Sequence, residues 1–193
     1  MQIRKLGADD APAYREFRLR ALREHPDAFT SSFEEESMRP LADSEKRLTN
    51  QAVTAMWAAF MDGPGTVAST DTETAATAGH PVMAGMVGLT RETRGKNRHK
   101  ATLVAMYVAP EYGRMGLGRA LVDAVVQEAA ATGIELLVLT VTAGNQAASA
   151  LYERAGFETF GIEPDAVRIN GISYEKKHMY LQMPAAASAA NFS

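Results

Sequence analysis

Three features of the sequence predict an α/β fold built on one mixed sheet. The apolar run "ATLVAMYVA" (101–109) leads through a glycine-rich turn into a helical pattern. A second apolar run, "IELLVLTV" (134–141), follows that helix and leads into another. Strand, turn, helix, strand and helix in succession form an α/β core. Shorter strand-like runs at both ends of the chain add antiparallel hairpins, so the sheet is mixed rather than all parallel.

Residues 2–6 read as a first strand. Asp9 or Asp10 caps a helix with Pro12 in its first turn, and Tyr14, Phe17, Ala21 and Leu22 recur at helical spacing. His25-Pro26 ends it, because the residue before a proline is pushed out of the helical region. "AFTSSFEEES" reads as a connector, 43–52 as a second helix and 54–62 as a strand. Residues 63–81, rich in Gly, Thr, Ser and Ala, read as a long mobile loop. In the strand at 82–92, Gly85 and Gly88 point to a bulge or close packing. "RGKNRHK" (94–100) is a basic turn, either a solvated loop or a patch that helps a polyanionic ligand dock. From Arg119, the residues Leu121, Val122, Val125, Val126 and Ala129 share one helix face, closed by Gly133. The run at 134–141 reads as a strand covered on both faces. Asn145 caps the last helix, whose face carries Ala148, Leu151, Tyr152 and Ala155 and which ends at Gly156. Residues 157–162 and 174–183 read as two final strands, and 184–193 as a disordered tail. One domain over 1–183 accommodates all of these elements.

The composition narrows the chemistry. The chain of 193 residues has no cysteine, which excludes disulfides, thiolate metal sites and a cysteinyl acyl-enzyme. It fits a reducing, cytoplasmic setting. A net charge of −3 gives no overall basic field, so no nucleic-acid partner is expected. No apolar run approaches the roughly 20 residues that span a bilayer, and the N-terminus lacks the apolar stretch of a signal peptide, so no membrane association is expected. His99 and His178 stand alone, without a second metal ligand at useful spacing, so no metal is expected.

"PEYGRMGLGRALV" (110–122) carries the strongest functional signal. A turn between a strand end and a helix N-terminus offers unpaired backbone N–H groups and the positive end of the helix dipole, which suit a phosphate. Gly116 and Gly118 allow a ligand to approach the backbone, and Arg114 and Arg119 add charge. A P-loop would need Gly-Lys before Ser or Thr, but the chain has Gly118-Arg119-Ala120. A dinucleotide fingerprint would need a glycine where Leu121 stands. What remains is either a plain βα turn or a phosphate cradle of another kind.

In Gly113-Arg114-Met115-Gly116-Leu117-Gly118 the turn resembles the acyl-CoA signature of the GNAT N-acetyltransferase superfamily, Arg/Gln-x-x-Gly-x-Gly/Ala after a strand. Its glycines match, whereas Gly113 occupies the usual Arg/Gln position and Arg114 falls one residue late. The lead-in "MYVAPEY" fits the family. The later "NQAASALYERAGF" resembles the family's second signature in Asn145, Ala148, Leu151, Tyr152, Gly156 and Phe157, and "GISYEKKHMYLQM" resembles its last hairpin. The resemblance covers about 82–183 well and is compatible before that. It implies a GNAT-like acyl-CoA N-acyltransferase fold, a central, mostly antiparallel twisted sheet flanked by helices. It implies acetyl-CoA as co-substrate and a primary amine of a small molecule or protein as acceptor. The backbone of Arg114, Met115, Gly116, Leu117, Gly118 and Arg119 would bind the pyrophosphate. The strand end Met106, Tyr107 and Val108 would pair with the pantetheine arm, Asn145 would meet its pantetheine or adenosine side, and Ala148 and Tyr152 would also contact the cofactor. Tyr152 would be the general acid. Homodimers are common in the family.

The residues suit that chemistry. An amine with a pKa of about 10.4 is neutral in only about one molecule in 10³ at pH 7, so deprotonation is the first difficulty. The leaving thiolate, with a thiol pKa near about 8.5 by analogy with cysteine, gains from an acid, and a tyrosine near about 10 is still protonated. Without cysteine, direct attack in a ternary complex is the simpler route. The acidic run "SSFEEE" places Glu34 and Glu35, with Glu36, where the family's acceptor site often lies, and it would favour a cationic amine. The competing reading, and the more common one for such a run, is a solvated acidic stretch. The competing class of function is a non-catalytic acyl-CoA-binding sensor or interaction module of the same fold.

Overall fold

The computed structural model describes residues 1–63 and 81–183. The loop expected over 63–81, apart from its two end residues, and the expected tail at 184–193 lie outside the described residues. In chain order the elements are β1 (Gln2–Lys5), α1 (Ala11–Glu24), α2 (Phe33–Ser37), α3 (Leu41–Thr49), β2 (Thr54–Asp62), β3 (Pro81–Arg91) and β4 (Lys100–Val108). They continue with α4 (Leu117–Ala131), β5 (Leu136–Thr142), α5 (Gln146–Arg154), β6 (Glu158–Ile169) and β7 (Ile172–Gln182). The seven strands form one mixed sheet in the order β1-β2-β3-β4-β5-β7-β6, flanked by helices. Every neighbouring pair is antiparallel except β4 with β5. Among the described residues no helix is long and apolar enough to cross a membrane.

Alternation along β2 explains the two cores. Ala55, Trp57 and Ala59 face one way, into a cluster with Leu121, Val122 and Val125 of α4. Met56, Ala58 and Phe60 face the other way, toward Tyr14, Phe17 and Leu22 of α1 and Leu48 of α3. Gly85 lies at the closest approach of α4 to β3: a Cβ there would stand 2.9 Å from Leu121 Cδ1. A register shift between Met86 and Gly88 accompanies it, so both the bulge and the close packing expected of these glycines are present.

Several local expectations shift. The connector after α1 contains α2, whose Ser32 accepts a hydrogen bond from the Glu35 amide while the Glu35 carboxylate accepts one from the Ser32 amide. Helix α4 starts two residues before Arg119, and β6 extends well past residue 162 to Ile169. The largest correction concerns β5. Leu137, Leu139 and Val141 are buried, but Thr140 is exposed and Leu136 and Val138 are half-buried, so one face lacks a covering layer. The second layer, α1 and α3, covers β2, β3 and the end of β4 instead.

That open face borders a cleft. β4 and β5 pair only through Lys100–Thr102 with Leu136–Val138, although they run on to Val108 and Thr142. Beyond the paired stretch they part. There β4 bulges: Tyr107 pairs with Met86 and Val104 with Gly88, and Ala105 takes a left-handed φ of 55°. The sheet therefore has a gap at its centre, with the β4 edge facing it.

Candidate functional site

The gap holds two connected chambers. One, of about 340 Å³, lies between the ends of β4 and α5 and the turn before α4, and is lined by Met106, Val108, Arg114, Gly116, Gly118 and Asn145 among others. The other, of about 460 Å³, lies toward the N-terminal helices. They share Ala28, Phe29, Met106, Asn145, Ala148 and Leu151, so they form one passage across the sheet.

The smaller chamber ends at the glycine turn. The Gly113 amide donates to the Pro110 carbonyl, and the next backbone bond is from the Ala120 amide to the Gly116 carbonyl. The amides of Arg114 through Arg119 lie between these bonds with no backbone acceptor among the described residues. Arg114 has φ 62° and Gly116 φ 80°, so left-handed residues alternate through the turn, a backbone pattern of the kind that forms anion-binding concavities. Gly116 caps α4 in a conformation that costs an L-residue about 1–2 kcal/mol. A Cβ on Gly116 would meet nothing within 4 Å, so its space is open to a ligand. Gly118 differs: a Cβ there would stand 3.2 Å from Leu151 Cδ2, so this glycine also serves the packing of α4 on α5.

The two arginines separate clearly. The Arg119 guanidinium donates to Asp123 Oδ1 at 2.8 Å and to the Arg154 carbonyl at 2.8 Å, which occupies it at the end of α5. Arg114 lines the smaller chamber and makes no ion pair among the described residues. Met115 points to solvent, and the Leu117 side chain is in the core, so these two bring their amides rather than their side chains.

Among the other expected residues, Met106, Asn145 and Ala148 line both chambers and Val108 the smaller one. Asn145 Oδ1 accepts the Ala148 amide at 3.0 Å as the cap of α5, leaving its NH₂ group uncommitted. Tyr107 borders the smaller chamber, but its ring packs against Phe17 at 5.1 Å and its hydroxyl donates to Glu24 Oε2 at 2.5 Å. Its side chain belongs to the α1 core. Arg20 grips the same Glu24 and, through both terminal nitrogens at 2.7 Å, Glu111. This fork ties α1 to the turn that precedes the glycines.

Tyr152 lines the larger chamber at 4 % exposure, its ring edge-on to Phe157 at 5.8 Å. Its hydroxyl has no hydrogen-bond partner among the described residues. Burial raises its pKa above that of an ordinary phenol, so it stays protonated at neutral pH.

The acidic run is not brought to the passage. Glu35 is in the capping box, and neither Glu34 nor Glu35 lines a chamber. Glu36, one position on, is 5 % exposed and pairs with Arg18 at 2.9 Å and Arg47 at 3.4 Å. Burial alone would raise the Glu36 carboxyl, but the hydrogen bond and charge of Arg18, with Arg47 and Arg39, outweigh it and hold its pKa below the usual value. Sequence reasoning missed the wall residues His25, Ala28 and Phe29, and the charged residues Arg18, Arg47 and Lys176. One signal existed: Arg18 falls within the apolar stripe of α1, four residues from both Tyr14 and Leu22.

A family model described as "Acetyltransferase (GNAT) family" matches residues 19–157. The chain belongs to the GNAT acetyltransferase family. Among characterised relatives, the ribosomal protein bS18-alanine N-acetyltransferase of Escherichia coli K12 is 48% identical over 58 residues, 30% of this chain and 39% of that protein. The match thus spans well under half the length of such relatives. A GNAT acetyltransferase structure from Streptococcus pneumoniae superimposes with a TM-score of 0.78 at 25% identity, covering 95% of this chain and 99% of that one. The Salmonella typhimurium protein yncA, solved with its cofactor acetyl-CoA, shares the fold with a TM-score of 0.70 at 22% identity, over 98% of each chain. The Brucella melitensis ribosomal-protein-alanine N-acetyltransferase does so with a TM-score of 0.73 at 22% identity, over 95% of this chain and 100% of that one.

Proposed function

We propose that this GNAT protein transfers an acetyl group from acetyl-CoA to a primary amine. The observation that carries the reading is the parted β4–β5 pair, whose gap runs from an amide-lined turn at one end to an unpartnered buried tyrosine at the other.

The residues present fit acetyl-CoA. The amides of Arg114–Arg119 and the Arg114 side chain suit the pyrophosphate, with each charge-assisted hydrogen bond worth about 1.5–3 kcal/mol. The β4 edge beyond Thr102, unpaired with β5, offers main-chain groups to an extended amide-bearing arm. Asn145 lines the same passage, and its NH₂ group is uncommitted. Bound there, acetyl-CoA supplies an acetyl thioester.

Transfer forms one C–N bond and breaks one C–S bond, moving the acetyl group directly from sulfur to the amine nitrogen. The chain has no cysteine to carry the group in between. Tyr152 donates its phenolic proton to the departing sulfur and regains one from solvent, while the amine loses its extra proton to water in the cleft. The protein's main contribution is to hold the amine against the thioester in a confined passage.

Thiol release measured across a panel of amines, with calorimetry on CoA, tests this. CoA binding with turnover of an amine, and turnover strongly reduced in Tyr152→Phe, is the expected result. CoA binding with no transfer to any amine favours a non-catalytic sensor. Failure to bind CoA removes both readings.

A further inference from the structure

The charged side chains lining the larger chamber are Arg18, Arg47 and Lys176, all cationic, and no carboxylate lines it among the described residues. Arg18 and Arg47 share one counter-ion, Glu36, so the trio carries a net positive charge. Arg18 uses Nε and one terminal nitrogen on Glu36 and Ser31, and Arg47 uses a single terminal nitrogen on Glu36 and Tyr14. The remaining guanidinium donors have no acceptor among the described residues.

Lys176 sharpens the point. It sits on β7 at 5 % exposure, opposite Thr142 of β5 and Glu163 of β6. Its ammonium group has no hydrogen bond and no ion pair among the described residues. The Glu163 and Asp27 carboxylates act on it by charge without bonding it, and Glu163 is already bonded to His178 Nε2 at 2.6 Å. Its neighbour Lys177 points to the other face, toward Ser149 and Glu153. Burial disfavours the charged form, and an ammonium group in such a place is normally paired. No side-chain nitrogen or oxygen among the described residues is both buried and unpartnered, so the Lys176 ammonium opens on the chamber, where an anionic ligand would pair with it.

We propose that the acceptor is a small amine bearing an anionic group, a carboxylate or phosphonate, which pairs with Lys176 and the free donors of Arg47 and Arg18. This rests on the reading of the larger chamber as the acceptor side of an acetyltransferase. A planar, two-pronged oxyanion matches a guanidinium fork. The chamber, at about 460 Å³, is of small-molecule size. The same cations do a second task. Like charge disfavours the ammonium form of the acceptor, so the wall shifts it toward the neutral nucleophile without a dedicated base. An amine without an anion gains no such pairing and is repelled.

The test compares matched acceptors: the common amino acids against their carboxamides, 2-aminoethylphosphonate, and an alanine-led peptide with an amidated C-terminus. In wild type, kcat/KM for carboxylate or phosphonate amines should exceed that of the carboxamides and peptide at least tenfold. Lys176→Met should reduce the preference to under threefold, mainly through KM, with CoA affinity unchanged, and Lys176→Arg should restore most of it. Binding of the same compounds to the CoA-loaded protein, read by NMR shifts, repeats the contrast independently of turnover. Anionic amines that bind through Lys176 but are never acetylated would support the anion site while defeating the catalytic reading. Equal or better use of carboxamides or the peptide by wild type would overturn the anion site and leave acetyl transfer standing. So would a preference that survives Lys176→Met, or no binding of any anionic amine.

Discussion

The two chambers are built from different materials. The smaller one ends in backbone: six amides in a row, the open space at Gly116 and the β4 edge. The larger one is walled by residues from α1, α3, β2, β3, β4, β5, α5 and β7, brought together from positions as far apart as Tyr14 and Lys176. A backbone site is set by a few consecutive dihedral angles and tolerates changes in side chains that keep those angles. A side-chain site depends on each contributor and on the sheet that assembles them. Substitutions should therefore act on catalysis and acceptor choice in one chamber and on CoA affinity in the other, with little crossover.

The largest effect tests the chemistry of the larger chamber. Tyr152→Phe should lower kcat by about 10²–10⁴, the usual scale of general acid catalysis, and leave the CoA dissociation constant within about twofold. In wild type the alkaline limb of kcat should not appear near the ordinary tyrosine value of about 10, because burial raises the Tyr152 pKa. An alkaline limb at that value that is absent from Tyr152→Phe would count against this protonation state.

Next in size is the scaffold under that chamber. Glu36→Gln leaves Arg18 buried beside a neutral group and should cost about 3–5 kcal/mol in denaturant unfolding. The Glu36 pKa is lowered in the folded state, so its contribution is complete above the usual glutamate value of about 4.3 and is lost as pH falls through the lower folded value. Stability of wild type should therefore decline on the acid side more steeply than that of Glu36→Gln. Parallel acid limbs would show that the pair does not act in this way.

On the backbone side, Gly116→Ala forces a left-handed φ on an L-residue and puts a methyl group into the cradle. CoA affinity should fall about tenfold or more, because the methyl group takes ligand space, while the strain of about 1–2 kcal/mol lowers stability and kcat at saturating acetyl-CoA changes little. The smallest contrast separates the arginines. Arg114→Ala should weaken CoA several-fold, less so at high salt, and Arg119→Ala by less than about twofold, since Arg119 is spent on Asp123 and the Arg154 carbonyl. The reverse order would mean that Arg119 leaves its partners when ligand is bound.

The same division explains what could be read without coordinates. Pro12 and His25-Pro26 bound α1 as the sequence indicates, and Asn145 caps α5 through its own side chain. These are local devices, settled within one turn of chain. The acidic run shows the limit. Glu34, Glu35 and Glu36 are equivalent in composition, but successive helical residues turn by about 100°, so only Glu36 faces Arg18. In the same way nothing local distinguishes Lys176 from Lys177, although one is buried against the cleft and the other faces Ser149.

The sequence by itself determined the α/β core, the glycine turn after β4 and the helix that carries Tyr152, because each depends on periodicity or on a few neighbouring dihedral angles. Tertiary structure alone decided that β4 and β5 part after three paired residues, that Gly118 serves helix packing, and that the charged residues lining the larger chamber are cationic. Those depend on which distant strands become neighbours and which face each side chain then presents, and no stretch of contiguous sequence carries that information.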